Sequence, residues 1–259
     1  GGKRQAPTFD VIAPGIAKHE EEIVLAPGAD PKSDPCLALR AAVAAAEFGL
    51  PIAPGTLQNL KSCPIDDRTW NDESRSLFLR LLASGPALLQ VWEEIDFVDI
   101  PGRLIPEWLA IRNRPSASAA HRYTIDRHSV EVVTRLGRET PRGNRYDDRH
   151  YQALLLAGIL HDVGKRPGVF DHAAEGARHA SMVLKRMGFD RDIIWWVTLL
   201  VREHLTLSEF ATGQNPNDPN VGDELASRLD HDPLLLDMLF DLTRADGSSL
   251  GATAGETIS

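Results

Sequence analysis

Four histidines and two aspartates in the second half of the chain have the residue types of a metal centre: His128, the adjacent pair His161-Asp162, His172, His204 and Asp246. Imidazole nitrogen and carboxylate oxygen together suit Zn, Mn, Fe or Mg, according to their ratio and geometry. The pair is the centre of the pattern. It follows the apolar run 153–160 and is closed by Val163-Gly164-Lys165, so an apolar helix ends in two ligand types. The chemistry this implies is metal-assisted hydrolysis. A bound divalent ion lowers the pKa of water toward ~7 and offsets charge on phosphoryl oxygens, and a second ion roughly 3.5–4 Å away would steady a leaving oxygen. Phosphodiesters, which hydrolyse extremely slowly in water, need such help. His161 and Asp162 are the expected catalytic pair. Lys165, one short turn on, could meet a phosphate oxygen as a point charge.

Such ligands work only if separate helices deliver them to one place. The apolar spacing puts His128 in the first turn of one helix and His161-Asp162 at the end of the next. His172 starts a third, His204 closes a fourth and Asp246 closes the last. They can converge where a helix bundle opens into a pocket. Adjacent helical residues point about 100° apart, so His161 and Asp162 either reach one ion from two sides or the carboxylate bridges two. His121, beside Arg122, is placed at the pocket wall. His150 and His179 are expected on solvated helix faces, and Trp195-Trp196 in the core.

Strand signals are scarce, and the chain reads as all-α. Residues 1–34, rich in Pro, Gly and charge, are expected to be a linker or the tail of an upstream domain, with Ile23-Val24-Leu25 as the one short β-like run. A small helical subdomain follows over 35–118. Its helices are expected at 36–48, stopped by Gly49 and Pro51, from Pro54, at 72–84 before Gly85, at 86–96 and at 106–111. The third segment, 119–259, would carry helices at about 126–137, 147–162, 172–187, 190–204, 221–229 and 233–246, with a loop over 213–220.

The net charge of -9, without a basic run or aromatic-basic stripe, argues against a broad nucleic-acid-binding face. The longest apolar run, near 193–201, is about half a membrane span, so no membrane partner is expected. Two cysteines, Cys36 and Cys63, lie outside any metal spacing and read as reduced thiols of a cytoplasmic protein. The chain opens Gly-Gly-Lys-Arg, and is expected to be an internal piece of a longer protein.

The order His … His-Asp … Asp resembles the signature of the HD-domain metal-dependent phosphohydrolases. A narrower resemblance is carried by His121-Arg-Tyr-Thr-Ile-Asp-Arg-His128, by the stretch from Leu154 through His161-Asp162-Val-Gly-Lys165, and by Asp171-His172 with Gly176-Ala177. It continues through Val201-Arg-Glu-His204-Leu205 and Leu242-Thr-Arg-Ala-Asp246. These resemble the HD domain of bifunctional PII uridylyltransferase/uridylyl-removing enzymes. The preceding block, with Gly49-Leu-Pro-Ile-Ala-Pro-Gly-Thr56 and Pro106-Glu-Trp108, looks like the actinobacterial type. The resemblance runs over about 35–247.

It implies an HD helical bundle preceded by a small helical subdomain. It also implies a hydrolase that removes UMP, or AMP, from a tyrosine of the nitrogen-signalling protein PII. In such enzymes a nucleotidyltransferase domain precedes the HD domain and glutamine-sensing domains follow it. Carried over by position, His128, His161, Asp162 and Asp246 would hold a first divalent metal, with His172 and His204 matching the histidines of members that hold two. Lys165 and Arg122 would meet the substrate. Two departures stand out: Ala173 where many relatives have serine, and Gly-Ser-Ser-Leu-Gly after Asp246 where relatives often have a Trp-containing stretch. Two alternatives share these residues. One is an HD phosphohydrolase acting on a free nucleotide or cyclic dinucleotide; the other is a PII-binding module without catalysis.

Overall fold

The computed structural model describes residues 2, 8–115, 124–139, 145–215 and 217–254, with side chains of the last helix through Gly247. Contacts divide the chain into two compact units, Gly1–Leu104 and Ile105–Ser259.

The first unit opens with a meander of which the sequence announced only the last strand, at Ile23-Val24-Leu25. β1 (Asp10–Ala13), β2 (Ile16–His19) and β3 (Glu22–Leu25) form one antiparallel sheet in the order β1-β2-β3. The expected linker over 1–34 is corrected here. Ile16, Ala17 and Ile23 are fully buried, and Ile23 exchanges backbone hydrogen bonds with Pro51 and Ala53 at 2.8 and 2.9 Å. The reason for the miss is local. Each strand has four residues, too few to display alternation. The β2–β3 turn uses Glu20 and Glu21 at φ 48° and 60°, a left-handed pair that Asn-Gly normally signals.

Behind the sheet lies α1 (Leu37–Phe48), alanine-rich and buried along most of its length. Gly15, at φ 78°, turns β1 into β2 where a Cβ would come within 2.7 Å of Leu37. Gly49 ends α1 in the left-handed conformation, its N–H closing on Ala45 O. The unit is completed by α2 (Pro54–Leu60), α3 (Asp72–Leu82), α4 (Ala87–Phe97) and α5 (Ile100–Leu104). Asn71 and Ser74 form a reciprocal capping box at the start of α3. Glu94 accepts the Ile52 N–H at 2.8 Å.

The second unit starts at Ile105 rather than near 119. The 3-10 turn Pro106–Ala110 buries Trp108 completely, and Glu107 makes a two-pronged ion pair with Arg186 at 2.8 and 2.6 Å. Pro115 pairs with Thr124 in an isolated bridge. These contacts bind 105–115 to the helical bundle on its C-terminal side, a tie that no local pattern carries.

Its helices are α6 (Ile125–Glu139), α7 (Asp148–Leu160), α8 (His172–Met187), α9 (Arg191–Arg202), α10 (Thr206–Gly213), α11 (Pro219–Arg228) and α12 (Pro233–Ala254). α7 is central, buried continuously from Ala153 to Leu160, and touches α6, α8, α9 and α12. Gly158 allows the α6 crossing: a Cβ there would meet Leu136 at 2.9 Å and Val133 at 3.1 Å. α10 falls where no helix was expected. α12 runs to Ala254, so Asp246 lies inside the last helix and not at its end. Among the described residues no helix is long and apolar enough to cross a membrane.

Candidate metal centre

Two glycines and a set of helix ends hold the His-Asp pair. His161 is the C-cap of α7, and Asp162 lies in the turn that Lys165 closes by donating its N–H to Asp162 O at 3.0 Å. That turn is pressed against the start of α8. A Cβ on Gly164 would lie 2.2 Å from His172 O and 2.4 Å from Gly176 N, so only glycine fits. His161 is 0% and Asp162 2% exposed.

Three other elements bring side chains to the pair. His128, one turn into α6, places Nε2 2.6 Å from Asp246 Oδ1 and 3.9 Å from Asp162 Oδ2. His161 Nε2 is 3.3 Å from Asp162 Oδ2 and 3.5 Å from Asp246 Oδ1. His204, in the turn after α9, brings Nε2 to 3.6 Å from Asp162 Oδ1. Ligand atoms of His128, His161 and Asp246 all lie within 4.8 Å of one another, the one such group among the described residues.

The imidazoles are oriented from behind. His161 Nδ1 lies 2.7 Å from Gly158 O, His204 Nδ1 2.6 Å from Val201 O, and His172 Nδ1 3.3 Å from Gly164 O. A carbonyl only accepts, so each Nδ1 carries the proton and each Nε2 faces outward as a possible ligand. His161 Nε2 and Asp162 Oδ2 are sealed from solvent, yet neither completes a hydrogen bond. Buried polar atoms left this way are costly unless something binds them, and a divalent ion suits this donor set.

Electrostatics follow the same geometry. Burial disfavours charge on His161, but the carboxylates of Asp162 and Asp246 outweigh it and hold its pKa well above the ordinary value. Burial likewise opposes ionisation of Asp162 and Asp246. His161 with Lys165 and His204 offsets it for Asp162, and His161 with His128 for Asp246, so both stay far below the usual carboxylate range. Burial, then the neighbouring His161, lowers His204.

The remaining candidates are distributed unevenly. Lys165 Nζ reaches Asp162 Oδ2 at 3.3 Å. His172 stands outside the group of three, half-buried at the start of α8. His121 and Arg122 lie outside the described residues. His179 is buried, not solvated, with Nε2 2.9 Å from Glu175. His150 stacks on Trp196 at 3.8 Å, and Trp195 is exposed rather than in the core. Sequence reading passed over Glu203, whose buried carboxylate accepts from Thr206 Oγ1 at 2.5 Å and so shapes the turn that carries His204. The Glu203-His204 adjacency was its only signal.

Comparison with known proteins adds a family pattern. Residues 125–235 match the HD domain model, a stretch that contains His128, His161, Asp162, His172 and His204 and ends before Asp246. The chain is 37% identical over 238 residues to a bifunctional uridylyltransferase/uridylyl-removing enzyme of Mycobacterium tuberculosis, covering 92% of this chain and 29% of that protein. It is 38% identical over 245 residues to the Streptomyces coelicolor enzyme of the same name, covering 94% and 28%. For the Corynebacterium glutamicum enzyme the identity is 32% over 222 residues, covering 85% and 31%. The chain therefore spans under a third of the length of these relatives.

Proposed function

The chain belongs to the HD-domain family, and on that basis we propose that it is a divalent-metal-dependent phosphodiesterase that removes UMP or AMP from a tyrosine of PII. The observation that carries the metal reading is the sealed pair of His161 Nε2 and Asp162 Oδ2, without hydrogen bonds, beside His128 and Asp246. The substrate reading rests on the relatives, whose name includes uridylyl removal.

In this reading His128, His161, Asp162 and Asp246 hold one ion, Mn, Mg, Fe or Zn, and His204 and His172 serve a second. A bound ion supplies Lewis acidity, lowering the pKa of water and offsetting phosphoryl charge. The protein's own residues do the positioning. Gly158 O and Val201 O fix the His161 and His204 rings, and Gly164 fits the Asp162 turn against α8. Lys165, within reach of Asp162, would swing to a phosphate oxygen as a positive charge, and Arg122 would join it. The unit Ile105–Ser259 holds every proposed ligand and is the catalytic part. Two buried free thiols, Cys36 and Cys63, fit a cytoplasmic setting.

The test is metal analysis of the purified chain together with nucleotide release from UMP- and AMP-modified PII, using free nucleotides as comparison substrates. Stoichiometric metal with release from PII is expected. Metal with turnover of free nucleotides alone would replace the PII reading, and a chain that takes up no metal would overturn the catalytic one.

A further inference from the structure

Asp246 differs from His161, Asp162 and His204 in how it is placed. His161, Asp162 and His204 sit in turns at helix ends, where caps and backbone carbonyls fix them. Asp246 lies inside the long α12, so its position follows the rotation and slide of a whole helix. The buried stripe of α12, Leu235, Met238, Leu239, Leu242 and Ala245, is apolar, and apolar burial is non-directional. It tolerates a small rotation that a ligand cannot.

One charged residue interrupts that stripe. Asp241 is 2% exposed, and a buried carboxylate is costly unless it is fully paired. Tyr146 Oη donates to it at 2.5 Å, Arg145 Nη1 at 3.2 Å and Arg244 Nη2 at 2.5 Å. The Arg244 bond to Asp241 stays within α12. Tyr146 and Arg145 come from the segment just before α7, the helix that ends in His161. Burial and the Asp241 carboxylate hold the Tyr146 hydroxyl above its ordinary pKa, which keeps it a donor. A second tie comes from α6, the helix of His128: Arg135 Nη1 donates to Ala245 O at 3.1 Å, the carbonyl next to Asp246. Such bonds are directional, and they fix a helix where apolar contacts alone would not.

We propose that Asp241 with Tyr146, and Arg135, are positioning residues that set the rotation of α12 and so deliver Asp246 to His128 and His161. Asp241 acts through the helix and does not itself meet the ion. It lies five positions before Asp246, about 7.5 Å of rise. The inference rests on the metal reading above.

The experiment titrates the full chain with Mn(II), well below the melting temperature of each variant, and measures metal-free melting in parallel. Tyr146→Phe removes one hydroxyl, Asp241→Asn the charge, and Arg135→Gln the α6 tie. Val183→Ala, a fully buried position of α8, is the stability control. Mn(II) affinity about tenfold lower or more is expected for the three variants, as for outer partners of metal ligands, with Val183→Ala binding like wild type despite its lower melting point. Should Asp241→Asn fail to fold, Tyr146→Phe decides. Wild-type Mn(II) affinity in folded Tyr146→Phe and Arg135→Gln would overturn this inference alone. A wild-type chain that binds no Mn(II) would overturn the metal reading and this inference with it.

Discussion

His128 Nε2 and Asp246 Oδ1 lie 2.6 Å apart across 118 residues of sequence. They join the first turn of α6 to the interior of α12, and both lie against the buried His161. Substituting either one should therefore do more than weaken a surface ion pair. His128→Ala or Asp246→Ala is expected to cut metal occupancy and nucleotidyl release by at least about a hundredfold, upper-range for loss of metal-site contacts, while helix content by circular dichroism stays near wild type. Full occupancy in both variants would remove these residues from the ligand set.

Acid and base act on the metal-free site in opposite senses. The His161 pKa is raised above the unfolded 6.5, so its stabilising contribution is complete below about 6.5 and is lost as pH rises through the raised value. Asp162 and Asp246 are lowered from 3.8, so theirs holds above 3.8 and fades only as pH falls toward the folded values. Metal-free protein in chelator should melt highest between these limits, and nearer the upper one, because the lowered His204 loses stability as pH falls below 6.5. The stabilisation gained from Mn(II) should grow toward higher pH, as the ion displaces the His161 proton. Melting curves across pH, with and without Mn(II), check both; a Mn(II) gain that shrinks between pH 6 and 8 would contradict the assignment.

Glu107 and Arg186 tie the start of the second unit to α8. Burial raises the Glu107 carboxyl, but Arg186 outweighs it, and the net shift is below 4.5. Stability from the pair is thus present above 4.5 and lost as pH falls through the folded value. Glu107→Gln should cost about 1–3 kcal/mol at neutral pH, and the loss should shrink in acid. Chemical denaturation at pH 7 and pH 4 measures the difference.

Gly164→Ala should be severe because its Cβ would meet backbone at 2.2 and 2.4 Å. A cost of about 3 kcal/mol or more is expected, with loss of metal binding, since the turn it displaces carries Asp162. Gly222→Ala in α11, where a Cβ meets nothing within 4 Å, should instead gain roughly 0.5–1 kcal/mol of helix stability. Thermal melts of the two variants provide the contrast.

The β2–β3 turn offers a gain. Glu20 and Glu21 both hold positive φ, and replacing them with Asn-Gly should stabilise the protein by about 1 kcal/mol. An unchanged or lower melting temperature would argue against that turn geometry.

Local sequence was enough for most of the helices and for the order of the proposed ligands. Helical periodicity, caps and glycine stops act over a few residues, so α1, α3, α7 and α8 were legible, as was His172 at the start of α8. Local signals failed where length or turn chemistry withheld them, in the four-residue strands and the Glu20-Glu21 turn. Long-range packing settled the rest. It placed 105–115 with the second unit through Trp108 and the Glu107–Arg186 pair, buried His179, and left His172 outside the inner group. It also set Asp246 against His128, with Tyr146 and Arg135 bonded to α12 at Asp241 and at the Ala245 carbonyl. These are contacts between residues far apart in sequence, fixed by packing and directional bonds that no window of a few residues contains.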